Sequence, residues 1–338
     1  MHTKRRTSDS MKEHDIRPAE LCNKYLELCA ADAITYFGSS RKEDIPCPAC
    51  GNDNPLPAFE KWGFNYVLCE ICGTLYQSPR PAQEDFARFY QESPSSLYWA
   101  KIFFPTVAEA RRERLFRPKV KEIAQLCKDK GFFPEVLADI GAGYGLFLEE
   151  WRRSFPETEL IAVEPNPTLA EICRSKNFNV SESFAERSAH LNGKVDLVVA
   201  LEVIEHAYDL IMFCSALKDL LREGGKVLLT GLTVDGFDIQ VLWDESKSIS
   251  PPHHINFVSI SGFEHLFDRA GFRKIRIFTP GKLDVDIVKN SVNENSDILS
   301  GQRFVSHLLG RGEAALQAFQ KFLSEHQLSS HCWIWAEK

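Results

Sequence analysis

The chain has 338 residues, of which 44% are hydrophobic, and its formal net charge is −7. This length is sufficient for one large domain with a smaller attached module. The apolar runs are of core-strand length and the N-terminus has no apolar stretch like that of a signal peptide, so we expect a cytoplasmic protein with no membrane partner. The acidic balance argues against nucleic acid as a partner, because binding phosphates requires a concentrated basic surface.

The first region, residues 1–44, is predicted to contain a disordered start and one long helix. Apolar residues recur at helical spacing from Arg17 to Phe37, in the segment RPAELCNKYLELCAADAITYF. A cysteine-containing module follows at residues 45–80.

Two C-x2-C pairs separated by 18 residues define this module. The spacing brings four thiolates to the corners of a tetrahedron and indicates a zinc site with Cys47, Cys50, Cys69 and Cys72 as ligands. A redox pair would be single and would open a helix. The residues between the pairs include one Lys, no Arg and two acids, which is a poor surface for nucleic acid. We therefore predict a structural zinc ribbon beside the substrate entrance.

The sequence of residues 81–130 predicts helices that connect the ribbon to the rest of the chain. We expect these helices to cover the catalytic domain as a lid. Among them, Tyr98 and Trp99 either roof a substrate pocket or form an apolar seam, and the sequence leaves both interpretations open. The basic stretch RRERLFRPKVK at 111–121 has apolar residues interspersed. This pattern favours a helix with one buried side and one solvated side.

From residue 131 to residue 338, short apolar strands alternate with helical stretches. Such alternation predicts an α/β fold with a parallel, doubly wound sheet and helices on both faces. The C-terminal HCWIWAEK predicts a seventh strand, and residues 282–328 predict a helical insertion. The six earlier strand candidates are VLADI, LIAVE, FNVSE, VDLVVAL, KVLLTGL and KIRIFT.

A glycine-rich turn follows the first of these strands. The segment DIGAGYG runs from Asp139 to Gly145 and leads directly into a helical stretch. Glycines let the backbone turn sharply and approach a ligand closely. A second acid, Glu164, ends the second strand, where a carboxylate accepts hydrogen bonds from ribose hydroxyls. An acid before GxGxG favours S-adenosylmethionine over a nicotinamide dinucleotide, whose pyrophosphate is usually bound by GxGxxG.

Four motifs in order resemble the class I S-adenosylmethionine-dependent methyltransferases: DIGAGYG, AVEPN, VVALEVIEHAYD with LLREGGKVLLTG, and PPHHINFVSISGFEHLFDRAGF. The resemblance covers residues 130–280 and implies a Rossmann-like seven-stranded sheet whose last strand is antiparallel. It also implies an adenine contact from residues 183–185. The cofactor-binding residues that the resemblance implies are Asp139, Gly141, Ala142, Gly143, Gly145, Glu164, Pro165, Leu201 and Glu202.

Methyl transfer from a sulfonium requires alignment of donor and acceptor and, for a hydroxyl or a carbon acid, a base. His253 and His254 in SPPHHINFVS are candidates, because imidazole accepts a proton near neutral pH. Hydrogen bonding to the loop backbone is the alternative role. Sugar C-methyltransferases with a related layout resemble this segment, and they place an acid where His253 stands and a histidine where His254 stands.

The segment LEVIEH adds His206 to the catalytic candidates. Quinone-pathway O-methyltransferases resemble this segment and bind a metal there. Glu202, Glu205 and His206 are therefore interpreted either as a divalent-cation site or as part of the cofactor pocket.

These features predict an S-adenosylmethionine-dependent methyltransferase that acts on a small polar metabolite, such as a nucleotide-linked sugar or another precursor of a surface glycan or secondary metabolite. Two alternatives stay open. One is an RNA or protein methyltransferase that uses the ribbon for recognition, and the other is a non-catalytic binding protein of the same fold. The acceptor atom and the oligomeric state are not determined by the sequence.

Overall fold

A computed structural model describes residues 11–338 of the chain. The predicted disordered start falls mainly on residues 1–10, which lie outside the described residues. After the short helix α1 (Glu13–Ile16), the long helix α2 spans Ala19–Phe37 and confirms the helix predicted for that segment. No helix of the described region is both long and apolar enough to span a bilayer.

The strands of the described region form a main sheet and two smaller ones. They are β1 (Lys42–Glu43), β2 (Pro55–Lys61), β3 (Phe64–Cys69), β4 (Leu75–Gln77), β5 (Arg80–Pro81), β6 (Val136–Ile140), β7 (Glu159–Val163), β8 (Asn179–Ser181), β9 (Val195–Leu201), β10 (Leu221–Leu232), β11 (Asn256–Phe257), β12 (Arg273–Phe278) and β13 (His331–Glu337).

The main sheet has seven strands in the order β12-β13-β10-β9-β6-β7-β8. Strands β6 to β10 pair in parallel, whereas β13 is antiparallel to both of its neighbours. This topology confirms the six predicted strands and the antiparallel strand at the C-terminus. The central strand β9 is buried along almost its whole length, which accounts for its uninterrupted apolar sequence VDLVVAL.

Helices cover both faces of the main sheet, as the alternating pattern predicts. Besides α1 and α2, they are α3 (Gln83–Glu92), α4 (Pro94–Tyr98), α5 (Phe104–Arg111), α6 (Arg117–Asp129), α7 (Leu146–Ser154), α8 (Pro167–Ser175), α9 (Leu210–Leu220), α10 (Phe237–Leu242), α11 (Ile260–Arg269), α12 (Asp284–Glu294), α13 (Arg303–Leu309) and α14 (Glu313–Glu325). Apolar residues of α6, α7 and α8 pack on one face, and those of α9 and α11 pack on the other.

Capping residues start two of the helices that follow parallel strands. Asn166 accepts hydrogen bonds from the first free N–H groups of α8, and Pro167 occupies the first helical position. Asp209 caps α9 in the same way, after a longer connection that contains a 3-10 turn at Ile204–His206. Both connections leave from the carboxyl ends of the strands, the edge of the sheet at which ligands bind in folds of this class.

The connector between ribbon and sheet is helical, as predicted. It runs through α3 to α6 and contains two π-helical segments, Trp99–Phe103 and Arg112–Phe116. π-Helical turns widen a helix locally and are frequent at functional sites. The predicted insertion at 282–328 is also helical, and α12 and α14 pack against each other and against Phe237 of α10.

The ribbon is joined to a distant part of the chain by strand pairing. Its sheet has the order β11-β4-β3-β2, and β11 pairs antiparallel with β4 through Asn256 opposite Tyr76 and Phe257 opposite Leu75. Helices α2 and α3 complete the core of this unit. The histidine segment before β11 is thereby attached to the ribbon. The division of the chain at residues 44, 80 and 130 stays a prediction.

Candidate functional site

The glycine-rich turn connects β6 to α7 at the carboxyl edge of the main sheet. Gly141 has a φ of +70°, and a Cβ added to it would lie 2.9 Å from Cγ2 of Val203. Its N–H donates to the carbonyl of Val163 at 2.8 Å. Both the backbone conformation and the available space therefore require glycine at this position.

Two carboxyl groups, Asp139 and Glu164, end the adjacent strands β6 and β7. The oxygens of Glu164 accept hydrogen bonds from the N–H groups of Gly143 and Asn166, at 2.8 and 2.9 Å. Burial raises the pKa of Glu164, although these hydrogen bonds oppose the rise. Burial and the nearby Glu164 raise the pKa of Asp139 well above its usual range. The strand ends thus place two buried acids side by side.

Glu202 follows the central strand β9 and has a φ of +55°. Its Oε1 accepts hydrogen bonds from the Thr230 hydroxyl at 2.6 Å and from Lys119 Nζ at 3.4 Å, and it lies 3.3 Å from His331 Nδ1. The indole N–H of Trp333 lies 2.9 Å from His331 Nε2, and the other ring nitrogen, Nδ1, faces Glu202. Burial alone would raise the pKa of Glu202, but His331 and Lys119 hold it well below its usual range.

Two of the predicted histidines, His206 and His254, lie together with ring centroids 4.8 Å apart. Nδ1 of His254 is 2.6 Å from the carbonyl of Ser248, and Nδ1 of His206 is 2.8 Å from the carbonyl of His253. Because a carbonyl only accepts, each Nδ1 must carry the proton, and each Nε2 is left as an acceptor.

Burial keeps both of these imidazoles neutral. It lowers the pKa of His254 to about 3, with the neighbouring His206 lowering it further. It lowers the pKa of His206 to about 4, against the opposing effect of Glu202. Glu202 also raises the pKa of His254, so its carboxylate acts electrostatically on both rings.

His253 occupies a different environment, because its ring is 5% exposed. The ring is enclosed by Tyr25, Phe89 and Tyr90, with centroid distances of 5.4, 4.6 and 5.6 Å, and its Nε2 lies 2.9 Å from the Ser95 hydroxyl. His253 is therefore a buried histidine that packs among aromatic rings. Its catalytic role stays a prediction, whereas its packing role is evident.

The interpretation of LEVIEH as a cation site is not supported by the geometry. Glu205 is buried, with Oε1 accepting from the N–H of Leu232 at 2.8 Å, and His206 is bonded to a backbone carbonyl. Among the described residues, the only group of His, Cys, Asp and Glu side chains that converges as metal ligands is the four cysteines. The alternative role of these residues in shaping the cofactor pocket stays a prediction.

The four predicted zinc ligands, Cys47, Cys50, Cys69 and Cys72, come together with all Sγ atoms within 4.8 Å of one another. Two of the sulfur pairs are 3.6 and 3.5 Å apart. A tetrahedral site with Zn–S bonds of about 2.3 Å needs sulfurs about 3.8 Å apart. The cluster therefore fits a four-thiolate zinc ion with a small outward adjustment.

The basic stretch 111–121 is helical and buries Val120, as its sequence predicts, but several of its cations contact other parts of the protein. Arg112 forms ion pairs with Glu149 at 2.9 Å and with the buried Glu150 at 3.0 Å. Lys119 reaches Glu202, as described above, and Arg111 is covered by aromatic rings. These cations face the protein. The hydrophobic periodicity of the sequence did not identify them as buried, because a charged residue on the inward side of a helix interrupts the apolar pattern and is interpreted as solvent-facing.

Comparison of the sequence with known protein families agrees with the fold described above. The family described as "Methyltransferase domain" matches residues 107–277, about half of the chain. The chain belongs to the methyltransferase-domain family. This membership, together with the seven-stranded sheet and its antiparallel last strand, confirms the class I methyltransferase fold that the motifs predict.

Relatives of the methyltransferase domain have different named substrates. The ubiquinone biosynthesis O-methyltransferase of Ruegeria pomeroyi is 28% identical over 163 residues, which are 43% of this chain and 64% of that one. The tRNA U34 carboxymethyltransferase of Ectopseudomonas mendocina is 28% identical over 167 residues, 47% of this chain and 49% of that one. The chain thus spans about half to two thirds of these relatives. The predicted exclusion of nucleic acid is not confirmed.

Solved structures of methyltransferases overlap with much of the chain. A SAM-dependent methyltransferase from Archaeoglobus fulgidus covers 69% of it at 19% identity and a TM-score of 0.43. The plantazolicin methyltransferase BamL covers 75% at 12% identity and a TM-score of 0.49. Similarity at this level carries no conclusion about the site.

The buried carboxyl of Glu205 generates a pH-dependent prediction. Burial and the adjacent Glu202 raise its pKa from 4.5 to about 8. The contribution of Glu205 to stability is complete below the unfolded-state pKa and is lost as the pH rises towards the folded-state pKa. We expect Glu205→Gln to gain stability relative to the wild type between about pH 5 and about pH 8. Urea unfolding at both pH values measures this difference.

The exposed Glu223→Gln is the matched control and should follow the wild type at both pH values. An equal offset for Glu205→Gln at the two pH values would contradict the proposed protonation of Glu205.

Proposed function

We propose that the protein transfers a methyl group from S-adenosylmethionine to a small polar metabolite, such as a nucleotide-linked sugar or another precursor of a surface glycan or secondary metabolite. The observation that carries the proposal is the position of Glu202 at the carboxyl edge. Glu202 follows β9, which pairs with β6, the strand that leads into the glycine-rich turn. Its negative charge also acts on the two neutral histidines, His206 and His254. The proposed cofactor residues and the proposed proton acceptors are therefore related to the same carboxylate.

The strand ends β6 and β7 supply the proposed cofactor site. Two backbone N–H groups donate to the carboxylate of Glu164 and fix its orientation. We propose that this carboxylate also accepts hydrogen bonds from the ribose hydroxyls of the cofactor. Asp139 has a raised pKa and a buried carboxyl, so an ammonium group beside it would favour its ionised form. We propose that Gly141, Ala142, Gly143 and Gly145 provide backbone contacts. Pro165, Leu201 and Glu202 are the remaining predicted cofactor neighbours.

S-adenosylmethionine supplies a methyl group activated by a sulfonium, so the protein contributes alignment and proton removal. We propose that Nε2 of His254 takes the proton from the acceptor atom as the methyl carbon bonds to that atom. His206 provides a second unprotonated Nε2 beside it. The negative charge of Glu202 stabilises the resulting imidazolium, because it opposes the lowering of the pKa of both rings by burial.

His253 is proposed as a positioning residue. Its carbonyl accepts from Tyr90 at 3.2 Å and bonds His206, and its ring contacts Ser95 at 2.9 Å. His253 thereby links Tyr90 and Ser95 of the helical connector to His206 by hydrogen bonds and to His254 through the chain.

We also propose that the cysteine cluster binds structural zinc. Four thiolate ligands leave no open coordination position, so the metal would hold the ribbon rather than take part in methyl transfer. The ribbon holds the histidine segment, because the Tyr66 hydroxyl donates to the carbonyl of His254 at 2.6 Å.

A second candidate acceptor is tRNA, which the similarity to three tRNA U34 carboxymethyltransferases favours. The two candidates differ in salt dependence, since each neutralised phosphate makes binding weaker as salt rises. A dissociation constant for tRNA that rises steeply with salt, together with methyl transfer to it, would replace the metabolite proposal.

The cofactor site is tested by Gly141→Ala. The new Cβ would lie 2.9 Å from Val203, so we expect the affinity for S-adenosylhomocysteine to fall at least about tenfold. The matched control is Gly193→Ala, which has the same φ of +70° but open space around its Cβ. Titration calorimetry compares the three proteins. Equal affinities for both variants would place the cofactor elsewhere.

The role of His254 is tested by His254→Gln. Loss of the proton acceptor should lower turnover about 100-fold or more, with affinity for S-adenosylhomocysteine unchanged. Turnover is measured as S-adenosylhomocysteine release with the acceptor found in a panel of nucleotide sugars. The exposed His265→Gln is the control. Full turnover in His254→Gln would exclude it as the base.

Metal analysis tests the cysteine cluster. The purified protein should contain about one zinc ion per chain, and Cys50→Ser should lose most of it. Cys22→Ser, which lies outside the cluster, should retain the wild-type content. Unchanged zinc in Cys50→Ser would reject the assigned ligands.

A further inference from the structure

The side chain of Arg111, the last residue of α5, forms no hydrogen bond or ion pair within the described residues 11–338. Its guanidinium lies 5.4 Å from the ring centres of both Trp99 and Phe104. Its Nε and Nη1 atoms are buried, and neither has a hydrogen-bond partner in the described part of the chain. A buried polar group of this kind is rare in folded proteins and generally has a functional explanation.

Burying this charge without a partner is unfavourable. Burial, and then the nearby positive charge of Arg17, lower the pKa of Arg111 to about 10, so the side chain is still charged at neutral pH. The next residue illustrates the usual solution, because Arg112 pairs with Glu149 and Glu150. The rings of Trp99 and Phe104 compensate Arg111 only in part, since they offer no hydrogen-bond acceptors along the plane of the guanidinium.

Aromatic contacts link Arg111 to both parts of the proposed active site. Phe104 stacks on Tyr144 of the glycine-rich turn with ring centres 4.6 Å apart. Trp99 contacts Tyr25 at 5.3 Å, and Tyr25 contacts the His253 ring at 5.4 Å. Arg111 is therefore joined through one ring to the glycine-rich turn and through two rings to the histidine segment.

A second arginine increases the positive charge of this region. Arg17 precedes α2, and within residues 11–338 its side chain forms no hydrogen bond or ion pair. Arg17 follows α1, which packs against α5, the helix that ends at Arg111. Its charge lowers the pKa of both Arg111 and His254, and Glu202 opposes both effects. The carboxylate of Glu202 is already engaged by Lys119 and His331.

The geometry points to an oxyanion subsite for the methyl acceptor at Arg111 and Arg17. We infer that the acceptor carries a carboxylate or a phosphate, which accepts hydrogen bonds from the buried Nε and Nη1 of Arg111 while its reacting atom faces His254. Guanidinium groups suit both anions because their planar donors bind two oxygens at once. This inference rests on the proposed methyl transfer and specifies its substrate class.

Calorimetry on the protein saturated with S-adenosylhomocysteine tests the inference, with pyrophosphate and malonate as separate probes. We expect one of these anions to bind, and Arg111→Gln to weaken that binding at least about tenfold. Pyrophosphate binding identifies a phosphate subsite, and malonate binding identifies a carboxylate subsite. The exposed Arg303→Gln should bind the same anion as the wild type does.

Two results would overturn the inference. One is that neither anion binds. The other is that Arg111→Gln weakens binding of S-adenosylhomocysteine as much as binding of the anion, which would assign Arg111 to the carboxylate of the cofactor. If the wild type does not bind S-adenosylhomocysteine, the proposed function is rejected. Anion binding is then measured in the absence of S-adenosylhomocysteine, which tests the subsite separately.

Thermal unfolding separates this role from a structural one. Because Arg111 lacks a partner, Arg111→Met should melt at or above the wild-type temperature when no ligand is present. In the presence of the binding anion, the wild type should gain stability and Arg111→Met should not. A large loss of stability in ligand-free Arg111→Met would mean that the arginine serves the fold.

Discussion

The pairing of β11 with β4 is the interaction on which the proposed site depends. It joins Asn256 and Phe257, just after the histidine segment, to a ribbon strand near the start of the chain. Arg80 reinforces it from the buried side by donating to Asn256 Oδ1 at 2.8 Å, and Asn256 in turn donates to the carbonyl of Ala207 at 2.8 Å. A loop held by ribbon, connector and sheet together loses little entropy when a ligand binds, so its histidines are already oriented for reaction.

Charge at the carboxyl edge is distributed so that the histidines stay neutral while cations and carboxylates surround them. Burial lowers the pKa of His206 to about 4 and that of His254 to about 3, and Glu202 opposes both shifts. An anionic acceptor that neutralised Arg17 would raise the pKa of His254, because Arg17 lowers it in the ligand-free protein. Acceptor binding would then strengthen the proposed base at the moment when it is needed. The subsite at Arg111 and the proton acceptor are therefore parts of one electrostatic arrangement.

Local patterns predicted the main sheet well, because buried strands and paired cysteines have characteristic spacings that need no knowledge of distant contacts. The strand β9 has the predicted bounds, and all four cysteines converge as expected. The pairing of β4 with β11 was not predictable in this way, since residues such as Thr74 and Ser259, which contact each other there, are 185 positions apart. Arg111 was missed for a related reason. Its sequence context is a basic helix, and only the packing of two aromatic rings against it distinguishes it from a neighbour such as Arg112, which pairs with Glu149 and Glu150.

We propose that the cysteine ribbon holds the histidine segment in its active arrangement. Hydrogen exchange of the Cys50→Ser protein, compared with Cys22→Ser, measures this effect, because exchange reports local opening of backbone hydrogen bonds. We expect faster exchange at residues 250–258 in Cys50→Ser and unchanged exchange at residues 136–146, where the proposed cofactor strand and turn lie. Equal protection of residues 250–258 in the two variants would contradict this proposal.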